Sequence, residues 1–242
     1  MPRYSMTSVS VATCAVFALL AALPVLADPQ AQDACATPTA GADLRDCDLS
    51  GRKLAGVDLQ GADLRGVKLS NADLSNADLR GANLRKADLR WTKLIDARLS
   101  GADLAHADMF HVVADGANFD EADLFKANLF GALMNGISAH DAEFTAAYMK
   151  DIELEGADLR GATLRRANML RVVAMGTVFR DADLSYSQLT GAAAAEADFS
   201  GARLHKTQFN GADLEDAKFD GADLDGADFT NARIDVEVQL RP

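Results

Sequence analysis

The chain has 242 residues, 49% hydrophobic but only 6% aromatic, with 36 acidic groups against 24 basic ones and a formal charge of −12. That length admits one large domain or two small ones. Five Pro and 18 Gly are too few for a collagen or a flexible linker protein, and the acidity argues against nucleic acid or an anionic membrane as a partner.

The chain opens with "MPRYSMTS", an apolar run of 15 residues "VSVATCAVFALLAAL", and "PVLA". A short basic start, apolar middle and small-residue exit predict a secretory signal peptide over residues 1–27, cut after Ala27. An uncleaved anchor is the alternative, but the run falls short of the ~20 residues that span a bilayer, so no stable membrane span is expected after processing. The expected location is periplasmic or secreted. Removing the leader removes Arg3 and takes the formal charge from −12 to −13. Residues 28–41 form an expected linker or cap. Export leaves Cys35 and Cys47 where disulfides persist. A bridge between them would pin the start of the fold; a buried Cys47 and a free Cys35 are the other reading.

From Leu44 to Ile234 an apolar residue recurs every five positions, 39 times, without insertion or deletion. Two residues before it Ala dominates, and Arg52 is the one charged exception. In an α-helix five residues advance about 140°, so the Leu positions would wander around every face. A flat strand, with its period of two, fails as well. Within a pentad "A-D-L" alternates in, out, in, like a short extended segment. The next two residues often end in Gly or Asn, which suit a corner with positive φ. Short sides joined by corners make a coil, and stacked coils make a β-helix.

These pentads resemble the pentapeptide-repeat family, whose pattern A-(D/N)-L-x-x is met by GADLR, SNADLS, GANLR and GADLD. The resemblance covers residues 42–234 and implies an all-β, right-handed quadrilateral β-helix with four pentads per coil. The repeat region is placed at 42–235, about ten coils at ~4.8 Å each, followed by a strand or tail at 236–242.

Four central positions are Ala: Ala114, Ala139, Ala174 and Ala194. A Leu-to-Ala loss costs about 2–5 kcal/mol where the cavity stays open. The next central residue is in each case Phe: Phe119, Phe144, Phe179 and Phe199. Only seven of the 39 central residues are Phe, so the coincidence reads as volume compensation between successive sides. Segments 101–124 and 161–184 agree at 13 of 24 positions, and their offset of 60 is three whole coils, so both occupy the same sides.

With four sides, residues 20 apart become vertical neighbours. One outward column then reads Arg90, Phe110, Phe130, Lys150, Leu170, and the adjoining side reads Lys93, Val113, Leu133, Glu153, Val173. Trp91 and His111 stack on the corner between them, with Tyr148 nearby. The expectation is an exposed apolar stripe of Trp91, Phe110, His111, Val113, Phe130, Leu133, Tyr148, Leu170 and Val173, flanked by Arg90, Lys150 and Arg171. Such patches mark contact surfaces; mutual shielding in stacked ladders is the alternative. Arg45, Arg65 and Arg85 form a second column beside Asp43, Asp63 and Asn83, read as paired charges of little individual worth.

"RIDVEVQLR" alternates Ile234, Val236, Val238 and Leu240 with polar residues, a strand with one apolar face. It either covers the final coil or pairs with a second molecule, and the resemblance favours a homodimer through this C-terminal edge. His106, His111, His140 and His205 lack partners at metal-site spacing. No phosphate loop or nucleophile motif is present, and the column Asp103, Asp123, Glu143 follows from the repeat. The expectation is a protein with no catalytic residues, metal or cofactor: an exported scaffold that binds a protein partner. The alternatives are a DNA-mimicking protein that protects a topoisomerase, which the family resemblance suggests and the leader opposes, and a purely structural envelope or surface protein.

Overall fold

A computed structural model describes residues 35–234. The expected leader at 1–27, the beginning of the expected cap at 28–41 and the expected tail at 236–242 lie outside the described residues.

Each outward residue just before a central one pairs in parallel with the residue 20 positions on, from Asp43 with Asp63 to Gln208 with Asp228. The last of these pairings lengthens into two short strands, β1 (Asp213–Leu214) and β2 (Arg233–Ile234), again in parallel. The bridges step by five residues and repeat after 20, so four pentads make one coil. Leu44 N–H donates to the Asp63 carbonyl at 2.8 Å, and Asp63 N–H donates to that of Ala42 at 2.9 Å. The same exchange is repeated up the rod, so stacking satisfies backbone groups that one isolated coil leaves open.

The corners explain the rest of the pentad. Cys47 N–H closes a turn onto the Leu44 carbonyl at 3.1 Å, and the second residue after each central one has positive φ. All 18 glycines of the chain occupy such corners, together with 21 other residues. Positive φ at the third position of a hydrogen-bonded turn marks type II. The first residue after the centre then has no backbone acceptor, and the Asp or Asn before the centre supplies one: Arg45 N–H to Asp43 Oδ1 at 3.2 Å, Ser50 N–H to Asp48 Oδ1 at 3.1 Å. That is the physical reason for the D/N of the repeat.

Leu and Ala fill the interior, almost all with no exposed surface up to Leu214. Ala114, Ala139, Ala174 and Ala194 and their successors Phe119, Phe144, Phe179 and Phe199 are all fully enclosed. Toward the C-terminal end the rings form two columns. Phe179, Phe199 and Phe219 stack at 5.0 and 5.2 Å, and Phe209 stacks on Phe229 at 5.1 Å. Edge-on contacts of 5.6 to 6.3 Å join the two columns across the interior. Three buried threonines hydrogen-bond a carbonyl one coil below: Thr92 to Leu69, Thr177 to Leu154 and Thr207 to Leu184, at 2.7 to 2.8 Å.

At the N-terminal end Cys35 and Cys47 are joined by a disulfide, with Cα atoms 5.7 Å apart. Arg52 takes an inward position normally held by Ala and sends its guanidinium to the carbonyls of Cys35 (2.5 Å) and Ala36 (2.9 Å). The one charged exception in the inward column is thus the residue that ties the cap to the first coil.

Candidate interaction surface along one corner

Trp91 occupies a corner with φ of 60° and stands 52% exposed. Its ring stacks on His111, one coil above, at 4.4 Å and 7°. Phe110 meets both edge-on, at 5.5 Å from Trp91 and 4.3 Å from His111. Phe110 and Phe130 stack at 5.5 Å, and Phe130 faces Tyr148 at 6.0 Å. Five rings therefore make one continuous ladder over the coils that carry them. Aromatic pairs in these geometries contribute about 0.5–1.5 kcal/mol beyond burial. Gly131 makes room for the ladder: a Cβ there would lie 2.5 Å from His111 Cε1. Beside it Val113 and Leu133 are parallel bridge partners and half-buried.

Leu170 and Val173 are not part of this ladder. The rung of Lys150, Asp151 and Glu153 separates them from it, and Glu153 bridges Leu133 on one side and Val173 on the other. The stripe is thus an aromatic block and a smaller aliphatic one. The cations at its borders are engaged: Arg90 with Asp88 at 2.7 Å, Arg171 with Asp151 at 2.7 Å, and Lys150 over the Phe130 ring at 5.9 Å. The Arg90 hydrogen bond, aided by Ser70, holds Asp88 down at about 2 against the opposing effect of burial.

Apolar side chains before the centre forgo the corner acceptor. Here the coil below supplies it. Asp115 Oδ1 accepts Asn135 N–H, and Asn135 Oδ1 accepts Glu155 N–H, both at 2.9 Å. Substituting Val113 and Leu133 for the usual Asp therefore frees this face of charge without orphaning the corner of Asn135.

Asp103, Asp123 and Glu143 do stack in one column, but each accepts its own corner N–H, from Ala105, Phe125 and Thr145. Among the described residues no group of three or more His, Cys, Asp and Glu is placed to hold a metal ion. Nor is any helix there long and apolar enough to cross a membrane. A second aromatic site escaped the sequence reading. Tyr186, 41% exposed, meets His205 edge-on at 5.2 Å, between Arg166 at 5.8 Å and Lys206 at 5.7 Å. The three residues 166, 186 and 206 share a column, which was the available signal.

A four-sided β-solenoid with an uninterrupted five-residue frame and ladders of like side chains defines a repeat protein whose surface carries its specificity. The sequence model for pentapeptide repeats matches in eight copies, over residues 42–81, 72–109, 82–120, 102–138, 122–161, 140–181, 157–193 and 197–234. The chain belongs to the pentapeptide-repeat family, whose members form right-handed quadrilateral β-helices. Among solved structures it is similar to HetL, a pentapeptide repeat protein involved in heterocyst differentiation regulation from Nostoc sp. strain PCC 7120. The two share 28% identity over 83% of this chain and 94% of HetL, with a TM-score of 0.62. A pentapeptide repeat protein of the Arabidopsis thaliana thylakoid lumen shares 25% identity over 39% of this chain and 66% of its own, with a TM-score of 0.38. QnrB1, a plasmid-mediated fluoroquinolone resistance protein, shares 18% over 76% and 92%, with a TM-score of 0.43. None of the curated proteins compared matches the chain.

Proposed function

We propose that this chain is an exported, non-enzymatic scaffold of about ten all-β coils, whose aromatic corner binds a protein partner. The observation that carries the reading is the ladder from Trp91 to Tyr148, five rings in continuous contact and exposed at both ends. Exposed rings of this kind anchor protein contacts. The regulatory role in the description of HetL is in keeping with a scaffold. The apolar leader at 1–27 supports export and opposes a cytoplasmic topoisomerase partner.

Two measurements test this. Cell fractionation with N-terminal sequencing should find a periplasmic or secreted chain that begins at Asp28; a cytoplasmic chain beginning at Met1 would refute export. Replacing Phe110 and Phe130 by Ser should abolish recovery of the cross-linked partner while leaving the circular dichroism unchanged. Equal recovery by the folded variant would refute the aromatic corner as the binding surface.

A further inference from the structure

The charges are sorted by corner. The columns through 45 and 46 run along one corner and hold eight Lys or Arg against two Asp. The columns through 55 and 56 lie ten residues further round the 20-residue coil, at the diagonally opposite corner. Up to residue 216 they hold six carboxylates (Asp96, Asp115, Glu155, Glu196, Glu215 and Asp216) and no Lys or Arg. A chain with a formal charge of −12 thus carries a basic ridge and an acidic ridge back to back.

Within the basic corner the two columns behave differently. Arg45, Arg65, Arg85 and Arg165 are each paired with a carboxylate of the neighbouring side. Lys86, Lys126, Arg166 and Lys206 are exposed and stand in no ion pair among the described residues. They recur every 40 residues, two coils, or about 9.6 Å along the axis. On the acidic corner Asp115, Glu155 and Glu196 recur at nearly the same interval, 40 and 41 residues. Glu155 and Glu196 are exposed, and their carboxylates are unpaired among the described residues.

We infer that a second copy of this chain docks here, the basic corner of one rod against the acidic corner of the next. One axial shift of parallel rods sets Lys126 opposite Asp115, Arg166 opposite Glu155 and Lys206 opposite Glu196, with sequence offsets of 11, 11 and 10. Because the two faces differ and lie on opposite corners, the contact is heterologous, and repeated translation extends it into an open row of rods. A long polyanion suits the ridge less well. The carboxylate column of Asp63, Asp103 and Asp123 runs beside it along the rod and offsets its charge toward a continuous negative strand, whereas the second rod sets Asp115, Glu155 and Glu196 opposite Lys126, Arg166 and Lys206.

The test is sedimentation velocity of the purified protein at 20 and 500 mM NaCl, with two charge-reversed variants. Wild type should associate at low salt and weaken at least about tenfold at high salt, where screening shortens to a few ångströms. Lys126→Glu/Arg166→Glu/Lys206→Glu reverses the three docking cations, and Glu155→Lys/Glu196→Lys reverses two of the three carboxylates that face them. Each should remain monomeric alone, and an equimolar mixture should associate. Should the triple variant not fold by circular dichroism, Lys126→Ser/Lys206→Ser must show the same loss. Wild type that stays monomeric at low salt, or a mixture of folded variants that does not associate, overturns the proposal. Retention of monomeric wild type on heparin, lost in the triple variant, would overturn it in favour of a linear polyanion.

Discussion

Arg52 Nη1 donates to the Cys35 carbonyl at 2.5 Å from an inward slot that other coils fill with Ala. The hydrogen bond crosses 17 residues and fastens the cap over the open edge of the first coil, the place where a β-solenoid is most exposed to fraying. Arg52→Ala leaves two carbonyls without their charged donor. The expected loss is about 1.5–3 kcal/mol, seen as an earlier onset of urea unfolding. An unchanged onset would show that the cap holds without it.

The disulfide acts on the same end. Cys35 and Cys47 close a loop of sequence separation 12, for which the chain-entropy estimate is about 3 kcal/mol. Since each coil contacts only its neighbours, reduction should raise hydrogen exchange in the coils around residues 44–64 and leave those beyond residue 150 unchanged. Uniform loss of protection along the rod would contradict this local role.

The Ala-then-Phe pattern reads in the sequence as shared volume between successive sides. Ala174→Leu, with Phe179 kept, overfills one level of the interior and should cost about 1–3 kcal/mol. Combining Ala174→Leu with Phe179→Leu should recover most of that loss, giving a coupling above about 0.5 kcal/mol in a double-mutant cycle. Strict additivity would mean that the two side chains do not share space.

Gly131 is required twice over, by φ of 62° and by His111, which a Cβ would meet at 2.5 Å. Gly131→Ala should therefore displace His111 from its stack on Trp91 and cost about 1 kcal/mol or more. Trp91 is the only tryptophan of the chain, so its emission reports the ladder directly. An emission spectrum identical to wild type would show that the stack tolerates the methyl group.

Acid should unfold the rod at low pH only. Asp88 is held at about 2, chiefly by its Arg90 hydrogen bond. Burial would raise Asp158, but hydrogen bonds from Arg160 and His140 outweigh it and hold this carboxyl at about 2 as well. Both folded values lie below the ordinary 3.8. The contribution is therefore complete above pH ~4 and lost as pH falls through ~2. Thermal midpoints should be flat from pH 7 to 5 and drop between 4 and 2. A drop centred near pH 6 would assign the effect to other groups.

Much of the fold was legible because one five-residue frame runs unbroken from Leu44 to Ile234. The inward Leu and Ala columns and the positive-φ corners follow from it directly. The four-sided coil did not follow from periodicity; it came from the family resemblance, and the bridges at 20-residue spacing supply it here. Stacking of Phe110 on Phe130 was accordingly readable once the coil length was known. The roles of Arg52 and of Thr92 were not, since their partners lie 17 and 23 residues away in backbone atoms that no side-chain pattern marks. The break at Lys150, Asp151 and Glu153 was visible in the columns, but its effect on Leu170 and Val173 needed the bridges across Glu153.

Because each pentad is one side, the coil converts sequence position into direction. Adding five residues would keep every central side chain pointing inward, yet turn everything beyond by a quarter revolution. The ring ladder and the opposed charged ridges would then be cut and re-aimed at the insertion point. Only blocks of 20 lengthen the rod while keeping its compass bearings, and the 60-residue offset between the two related segments is three such blocks.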